Sequence, residues 1–343
     1  MPKMTVLMPV YNAERFLREA IDSILVQNFT DFEFLIIDDC STDSSAAIIQ
    51  SYTDPRIRYF RNEQNKGISP TLNKGIELAT CDWIARMDAD DICYPDRLQK
   101  QYDFIQQQPD GALYSCKVKV VTEDGVFIRI DQFEPPFYYY NLTFICWIYH
   151  PSIIFSKKAV QSVGGYAVPY AEDFELFWQL TRHYKHYNLP KVLMDYRVTT
   201  QSLHQVLKKQ EYARAQQAQI LRNIRYYVGD NYTLPETYIE CLQHNFEPLL
   251  QQGRVSDIVD CIRQLDFITE RILQKDNINR HVDDIKEAAY HKRKFIIDFY
   301  FRHLPRTKAA LLLIKLGQTK TLLKLMARRL YKQLKPAPAA AVF

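Results

Sequence analysis

Three apolar runs near the N-terminus decide what this chain can fold into. Met4-Thr5-Val6-Leu7-Met8-Pro9-Val10, Glu33-Phe34-Leu35-Ile36-Ile37 and Trp83-Ile84-Ala85-Arg86-Met87 are almost continuously apolar, and each stops abruptly in a polar turn. Runs this short, bounded in this way, read as strands buried on both faces. Between them the period changes. Glu14 to Val26 sets Phe16, Leu17, Ala20, Ile21, Ile24 and Leu25 at helical spacing, and a second helix runs to Tyr52 behind Thr42 or Asp43 as cap. Ile57 to Arg61 reads as a short strand and Thr71 to Ala79 as a helix. Alternation of this kind predicts an α/β fold: a mostly parallel, Rossmann-like sheet with helices on both faces. In such sheets ligands sit off the carboxyl ends of the strands.

Those ends carry the chemistry. Asp88-Ala89-Asp90-Asp91 packs three carboxylates into four positions. Charges this close repel and are costly to desolvate, so the cluster calls for water or a cation beside it. An Asp-x-Asp at a strand exit suits Mg2+ or Mn2+, which take one or two carboxylates and leave positions for substrate phosphates; Asp88 and Asp90 are the candidate ligands. A plain polar turn is the alternative. At the first strand's end Pro9 holds the exit, while Tyr11 and Asn12 can stack on and hydrogen-bond a base. At the second, Asp39 can accept from the ring N–H of uracil, or belong to a helix-capping cluster. Asn65-Lys66-Gly67 and Asn73-Lys74-Gly75 bracket a loop-helix connection whose glycines admit close approach. Neither a P-loop nor G-x-G-x-x-G is present. Asn65, Asn73 and Arg86 join the donor-side candidates.

A second acidic feature is Tyr170-Ala171-Glu172-Asp173-Phe174-Glu175. Acids at a helix start also complement the macrodipole. As chemistry, Asp173 is the candidate base for an attacking hydroxyl, with Glu172 or Glu175 raising its proton affinity or holding the acceptor. His150, Arg197 and His204 flank predicted strands as accessory candidates.

The middle of the chain has shorter strand patterns, at Leu113 to Val121, Val126 to Ile130, Ser152 to Phe155 and Val192 to Arg197. From Gln205 the strands stop, and Val206 to Val228, Thr237 to Gln252, Ser256 to Gln274 and Val282 to Leu304 favour helix. The expected division is a catalytic domain over 1–204, a C-terminal helical region over 205–335 and a low-complexity, disordered tail over 336–343. Seven scattered cysteines without a Cys-x-x-Cys pair suit reduced thiols in the cytoplasm. The N-terminus lacks a signal-peptide pattern, and no run of about 18 apolar residues occurs.

Taken as an ordered set, Pro-x-Tyr-Asn, Asp-Asp-x-Ser-x-Asp, Asn-x-Gly repeated at Asn65 and Asn73, Asp-Ala-Asp-Asp and Glu-Asp before an aromatic-rich helix resemble the family 2 glycosyltransferases of GT-A fold. The resemblance spans residues 3–204. It implies that Tyr11, Asn12 and Asp39 hold the nucleoside of a UDP-sugar, that Asp88 and Asp90 serve Mn2+ or Mg2+ on its diphosphate, and that Asp173 is the base of an inverting transfer. Gly67 to Ile76, Ile84 to Asp91 and Ala171 to Phe174 further resemble bacterial lipooligosaccharide β-1,3-N-acetylglucosaminyltransferases. That implies a cell-envelope glycan or lipid-linked glycan as acceptor and UDP-GlcNAc as donor, with UDP-Gal or UDP-Glc as alternatives. Cys40 stands where a glycine is usual and puts the tightness of that turn in question.

The net charge of +4 conceals an asymmetry. From Phe299 onward there are ten Lys or Arg and no Asp or Glu, leaving 34 basic against 40 acidic residues in the remainder. In Thr319 to Lys335 the basic residues and leucines fall on different helical faces, as in an interfacial anchor or a core-facing helix with a basic outer side. Residues 305–335 are therefore a candidate contact with the inner face of the plasma membrane. Nucleic acid is not expected, since no aromatic interleaving accompanies the charge. Two other classes stand as alternatives. A sugar-phosphate nucleotidyltransferase would need a Gly-rich basic loop that Tyr11-Asn12-Ala13-Glu14 lacks, and a non-catalytic sugar-nucleotide or glycan binder would not need the base.

Overall fold

In the computed structural model, which describes residues 2–131, 135–199 and 208–318, the first strand β1 (Met4–Val10) is buried along its whole length. Its alternate side chains enter two different cores. Val6 and Met8 meet Leu17, Ile21 and Ile24 of α1 (Leu17–Leu25) on one face. Leu7 meets Leu72 and Ile76 of α3 (Ile68–Leu78) on the other, where Gly75 lets the helix close on the strand because a Cβ there would run into Leu7. Two buried faces are why the strand reads as apolar throughout.

Between α1 and α3 come β2 (Phe32–Asp38), α2 (Ser45–Gln50) and β3 (Ile57–Arg61); β4 (Trp83–Arg86), β5 (Ile92–Cys93) and α4 (Arg97–Gln107) follow α3. Next are β6 (Gly111–Thr122), β7 (Phe127–Arg129), α5 (Tyr138–Asn141), β8 (Ile154–Ser156), α6 (Lys157–Ser162), α7 (Glu172–Thr181) and β9 (Lys185–Val198). They form one nine-stranded sheet in the order β3-β2-β1-β4-β8-β6-β9-β5, with β7 paired to β6. β3, β2, β1 and β4 are mutually parallel, so the ends of β1, β2 and β4 share one edge. Beyond β4 the sheet is mixed: β8 runs antiparallel to β4 and β6, β9 is parallel to β6, and β5 is antiparallel to β9.

β9 begins well before the expected Val192. Its first half carries Pro190, and the register against β6 shifts between the pairs Cys116–Leu189 and Lys117–Val192, a bulge of the kind that admits a proline.

Among the described residues, the C-terminal region contains α8 (Lys209–Val228), α9 (Glu236–Leu242), α10 (Glu247–Gln252), α11 (Val255–Gln274), α12 (Val282–His303) and α13 (Arg306–Lys315). The single helix expected over 237–252 is broken in two, with His244 in the left-handed region at φ 72. This region shares a core with the sheet, since one apolar cluster runs from Leu7 and Leu35 through Phe174 and Phe177 to Ile258, Ile262 and Ile296. Hydrogen bonds cross the same boundary, from Asn223 Nδ2 to Leu142 O (3.3 Å) and from Asn279 Nδ2 to Thr181 O (2.8 Å).

Candidate active site

The end of β2 is a turn built around two aspartates with different duties. Asp38 is fully buried and accepts from Ser41 N (2.8 Å), Ser41 Oγ (2.5 Å) and the Tyr59 hydroxyl (3.1 Å), which closes the turn. Cys40 takes φ 63, so the left-handed geometry that a glycine would supply is kept despite the Cβ. Asp39 accepts from Asn62 Nδ2 (2.7 Å), Lys66 N (2.9 Å) and Gly67 N (2.8 Å), binding the loop after β3 to the end of β2. Lys66 N also reaches Asp39 Oδ2 (3.1 Å), so two donors meet each oxygen of this buried carboxylate.

At the end of β1, Asn12 (φ 49) latches the same turn: its N–H donates to Ser41 Oγ (3.0 Å) and its Oδ1 accepts from Thr42 N (2.8 Å). Beside it the Tyr11 ring is 50 % exposed, open for stacking. Pro9 is buried within β1 opposite Ile37 and shapes the strand end. Asn65 is exposed on the loop that Asp39 anchors.

Asn73 does not fit a donor ligand. Its Nδ2 donates to Tyr166 O (2.9 Å) and its Oδ1 accepts from Tyr166 N (2.9 Å), so both ends of the amide pin another segment. Arg86 stands at the exit of β4. It is buried beneath the carboxylates, ion-paired to Asp88, with its Nε lacking a hydrogen-bond partner.

The strand exit after β4 gathers carboxylate oxygens of Asp88, Asp90 and Asp91 within 4.8 Å of one another. Burial, then the Asp88 charge, push the Asp90 carboxyl up to about 7, although Arg86 and Arg197 oppose the shift. Burial followed by Asp90 and Asp88 raises Asp91 well above the usual carboxylate range. Asp91 Oδ1 accepts from Arg197 N (2.8 Å), whereas its Oδ2 is buried without a partner. Strained like charges, an orphaned oxygen and an all-oxygen donor set fit a hard divalent cation. Asp91 thus joins the two aspartates singled out in the sequence.

Arg197, expected on the acceptor side, lies here. Its Nη2 donates to Glu19 Oε2 (2.8 Å) and its guanidinium covers the Phe16 ring at 4.3 Å. His204 lies outside the described residues.

The acidic start of α7 follows Ala171, itself left-handed at φ 54. Asp173 is partly exposed, and its Oδ1 accepts from Phe174 N (2.8 Å). Glu172 is buried with Oε2 unpartnered; burial and then the neighbouring Asp173 push it up to about 8, so it keeps its proton at neutral pH. Glu175 is engaged elsewhere, by Arg222 at 3.1 Å and Gln179 Nε2 at 2.5 Å.

His150 is buried with Nε2 2.6 Å from the Tyr166 hydroxyl and Nδ1 3.9 Å from Glu172 Oε1. Burial, then Arg86, hold its pKa well below the usual value, so it is neutral and forms no ion pair. Tyr166 shows that the two acidic features converge. Burial is the largest influence on its phenol, and the charges of Arg86, Glu172, Asp173 and Asp88 all reach it. Tyr212 of α8 is part-exposed and is reached by the charges of the same three carboxylates, Glu172, Asp173 and Asp88. Neither tyrosine stands out in the sequence; only Gly165, which Tyr166 follows, hints at a crowded backbone.

Residues 5–161 match the family model described as Glycosyl transferase family 2. EpsE of Bacillus subtilis (strain 168), a glycosyltransferase by name, is 33% identical over 202 residues, which cover 56% of this chain and 72% of that protein. TuaG of the same organism, named for teichuronic acid biosynthesis, is 36% identical over 134 residues, covering 38% and 52%. Among solved structures, S. aureus TarS 1–349 superposes with a TM-score of 0.54 at 18% identity, covering 88% of this chain and 91% of that one. At that identity the likeness speaks for the fold, which is GT-A-like with an added helical region.

Proposed function

The chain belongs to glycosyl transferase family 2, and we propose that it is an inverting, metal-dependent enzyme that moves a sugar from a UDP-sugar to a hydroxyl of a cell-envelope glycan, forming a β-linkage. One observation carries this reading: the charges of Asp88, from the aspartate cluster, and of Glu172 and Asp173 reach the same two phenols, those of Tyr166 and Tyr212. UDP-GlcNAc is the first donor to test, with UDP-Gal and UDP-Glc next. TarS has been solved with UDP-GlcNAc, and the name of TuaG points to an envelope polymer; both support the choice without fixing it.

Asp88, Asp90 and Asp91 would hold Mn2+ or Mg2+, which supplies Lewis-acid stabilisation of a leaving diphosphate. The Tyr11 ring offers a face to the base, and Asp39 would take an imide N–H at an oxygen that Lys66 N now bridges. A carboxylate oxygen of Asp173 takes the proton of the acceptor hydroxyl while the hydroxyl oxygen attacks the anomeric carbon on the face opposite the diphosphate. One displacement on an α-linked donor yields a β-glycoside. Glu172, protonated, removes one of two adjacent like charges, and neutral His150 adds no competing cation.

The enzyme is placed at the cytoplasmic face of the membrane by its basic end. Of residues 305–335, those from 319 lie outside the described residues. α13 buries Ala309, Leu312 and Leu313 against the helical core and turns Leu311, Ile314 and Lys315 outward. No helix among the described residues is long and apolar enough to cross a membrane. Sedimentation with vesicles containing anionic lipid tests the placement, and protein that stays in the supernatant refutes it.

For the activity, the test is UDP release from the three UDP-sugars with Mn2+, using lipooligosaccharide and simple galactosides as acceptors and EDTA as control. Acceptor-dependent release that EDTA abolishes supports the proposal; donor binding without turnover on any acceptor counts against it.

A further inference from the structure

An acceptor that presents its hydroxyl to Asp173 must lie against the side chains next to that carboxylate, and two of them are tyrosines on different parts of the fold. Tyr170 precedes the left-handed Ala171 at the entrance to α7; Tyr212 comes from the second turn of α8. Their rings meet edge to face, with centroids 5.2 Å apart and planes at 63°. Both residues are part-exposed. α8 is held in place on α7 by Arg222 on Glu175 (3.1 Å) and by Trp178 against Tyr226 and Tyr227 (both 5.8 Å). The charges of Glu172, Asp173 and Asp88 all reach the Tyr212 phenol, and the Tyr170 ring that it meets stands three residues before Asp173. An aromatic face carries negative charge density and a Tyr ring adds a polar tip, a combination that receives the C–H face of a sugar ring while hydrogen-bonding its rim.

We propose that Tyr170 and Tyr212 form an acceptor subsite for the terminal pyranose of a glycan, so that the helical region completes the active site and the acceptor is a pyranoside rather than an open-chain polyol. The inference rests on Asp173 as the base. It explains why Tyr212 sits beside a carboxylate pair that is far from it in sequence.

Saturation-transfer NMR on the full chain tests it, with UDP and Mn2+ in the same tube and methyl β-D-galactopyranoside, methyl β-D-glucopyranoside or galactitol as probe. The expected result is transfer to one face of a pyranoside ring and none to galactitol. In Tyr212→Leu and in Tyr170→Leu the pyranoside should bind about fivefold more weakly or worse, while Tyr212→Phe, which keeps the ring, stays near the parent. UDP signals and melting temperature serve as controls on folding in each variant. Pyranoside signals unchanged in both leucine variants overturn the proposal, as does preference for galactitol or no pyranoside binding beside normal UDP signals. Tyr212-dependent pyranoside signals without any UDP signal would support the subsite and overturn the donor reading instead.

Discussion

Asn73 and Tyr166 are joined by a reciprocal pair of hydrogen bonds, Nδ2 to O and N to Oδ1, each 2.9 Å long. The pair fastens α3, whose N-terminus is tied to Asp39, to the segment that carries Tyr166 into contact with His150. The turn that carries Asp39 and the segment that carries Tyr166 are thereby tied together through α3. Gly165 permits it: φ is +69, and a Cβ there would lie 2.6 Å from Asn73 Oδ1.

Gly165→Ala should therefore cost about 2 kcal/mol or more, from left-handed strain plus the clash. Urea unfolding measures this, and an alanine variant as stable as the parent would show that the pin is slack.

Cys40 bears the same left-handed strain without glycine's freedom. Cys40→Gly should stay within about 1 kcal/mol of the parent, because relief of strain offsets the added unfolded-state entropy, whereas a β-branched Cys40→Val should lose about 2 kcal/mol. Equal stability of the two variants would contradict the φ of 63.

The aspartate cluster makes a pH prediction. Because the folded-state value for Asp90 is raised, from 3.8 to about 7, by burial and by Asp88, its contribution to stability is full below about pH 4 and is lost as pH rises through about 7. Melting in EDTA should show this decline. Mn2+ should reverse it, adding about 2.7 kcal/mol at a hundredfold excess over its Kd, and Asp91→Asn should abolish most of the Mn2+ response. A melting profile blind to Mn2+ would remove the metal from the account.

Lys292 makes a second, independent one in the helical region. It is buried, donates to Leu242 O (2.6 Å), and burial holds it at about 7 rather than 10.5. A lowered folded-state value means stability that is full above about pH 10.5 and lost as pH falls through about 7. Lys292→Met should flatten the rise in stability between pH 7 and 10. An unchanged slope in that variant would assign the rise to other groups.

Legibility in the sequence follows the range of the forces involved. β1, β2 and β4 were readable because burial on both faces leaves an unbroken apolar run, and the carboxylates and Tyr11 at their ends stand at positions the topology brings to one edge. The first half of β9 was not, because a bulge at Pro190 breaks the period; nor was the break between α9 and α10, where His244 supplies a left-handed turn that a glycine would have announced. In the site, the structure brings together the residues that stand out by type: Asp88 and Asp90 at one strand exit, Glu172 and Asp173 at the start of α7. Residue type misled for Asn73, whose amide is taken at both ends by Tyr166. Tyr166 and Tyr212 gain their places only through tertiary convergence, which no local pattern encodes.

The central claim is that Asp173 removes the acceptor proton at a donor site it does not build. Acceptor-dependent UDP release by Asp173→Asn and by the parent, at saturating Mn2+ and donor, tests that directly when donor affinity is measured alongside. The expected result is a fall in kcat of about 10²- to 10⁴-fold with donor affinity unchanged. Turnover near the parent's rate in the asparagine variant would contradict it and move the base elsewhere.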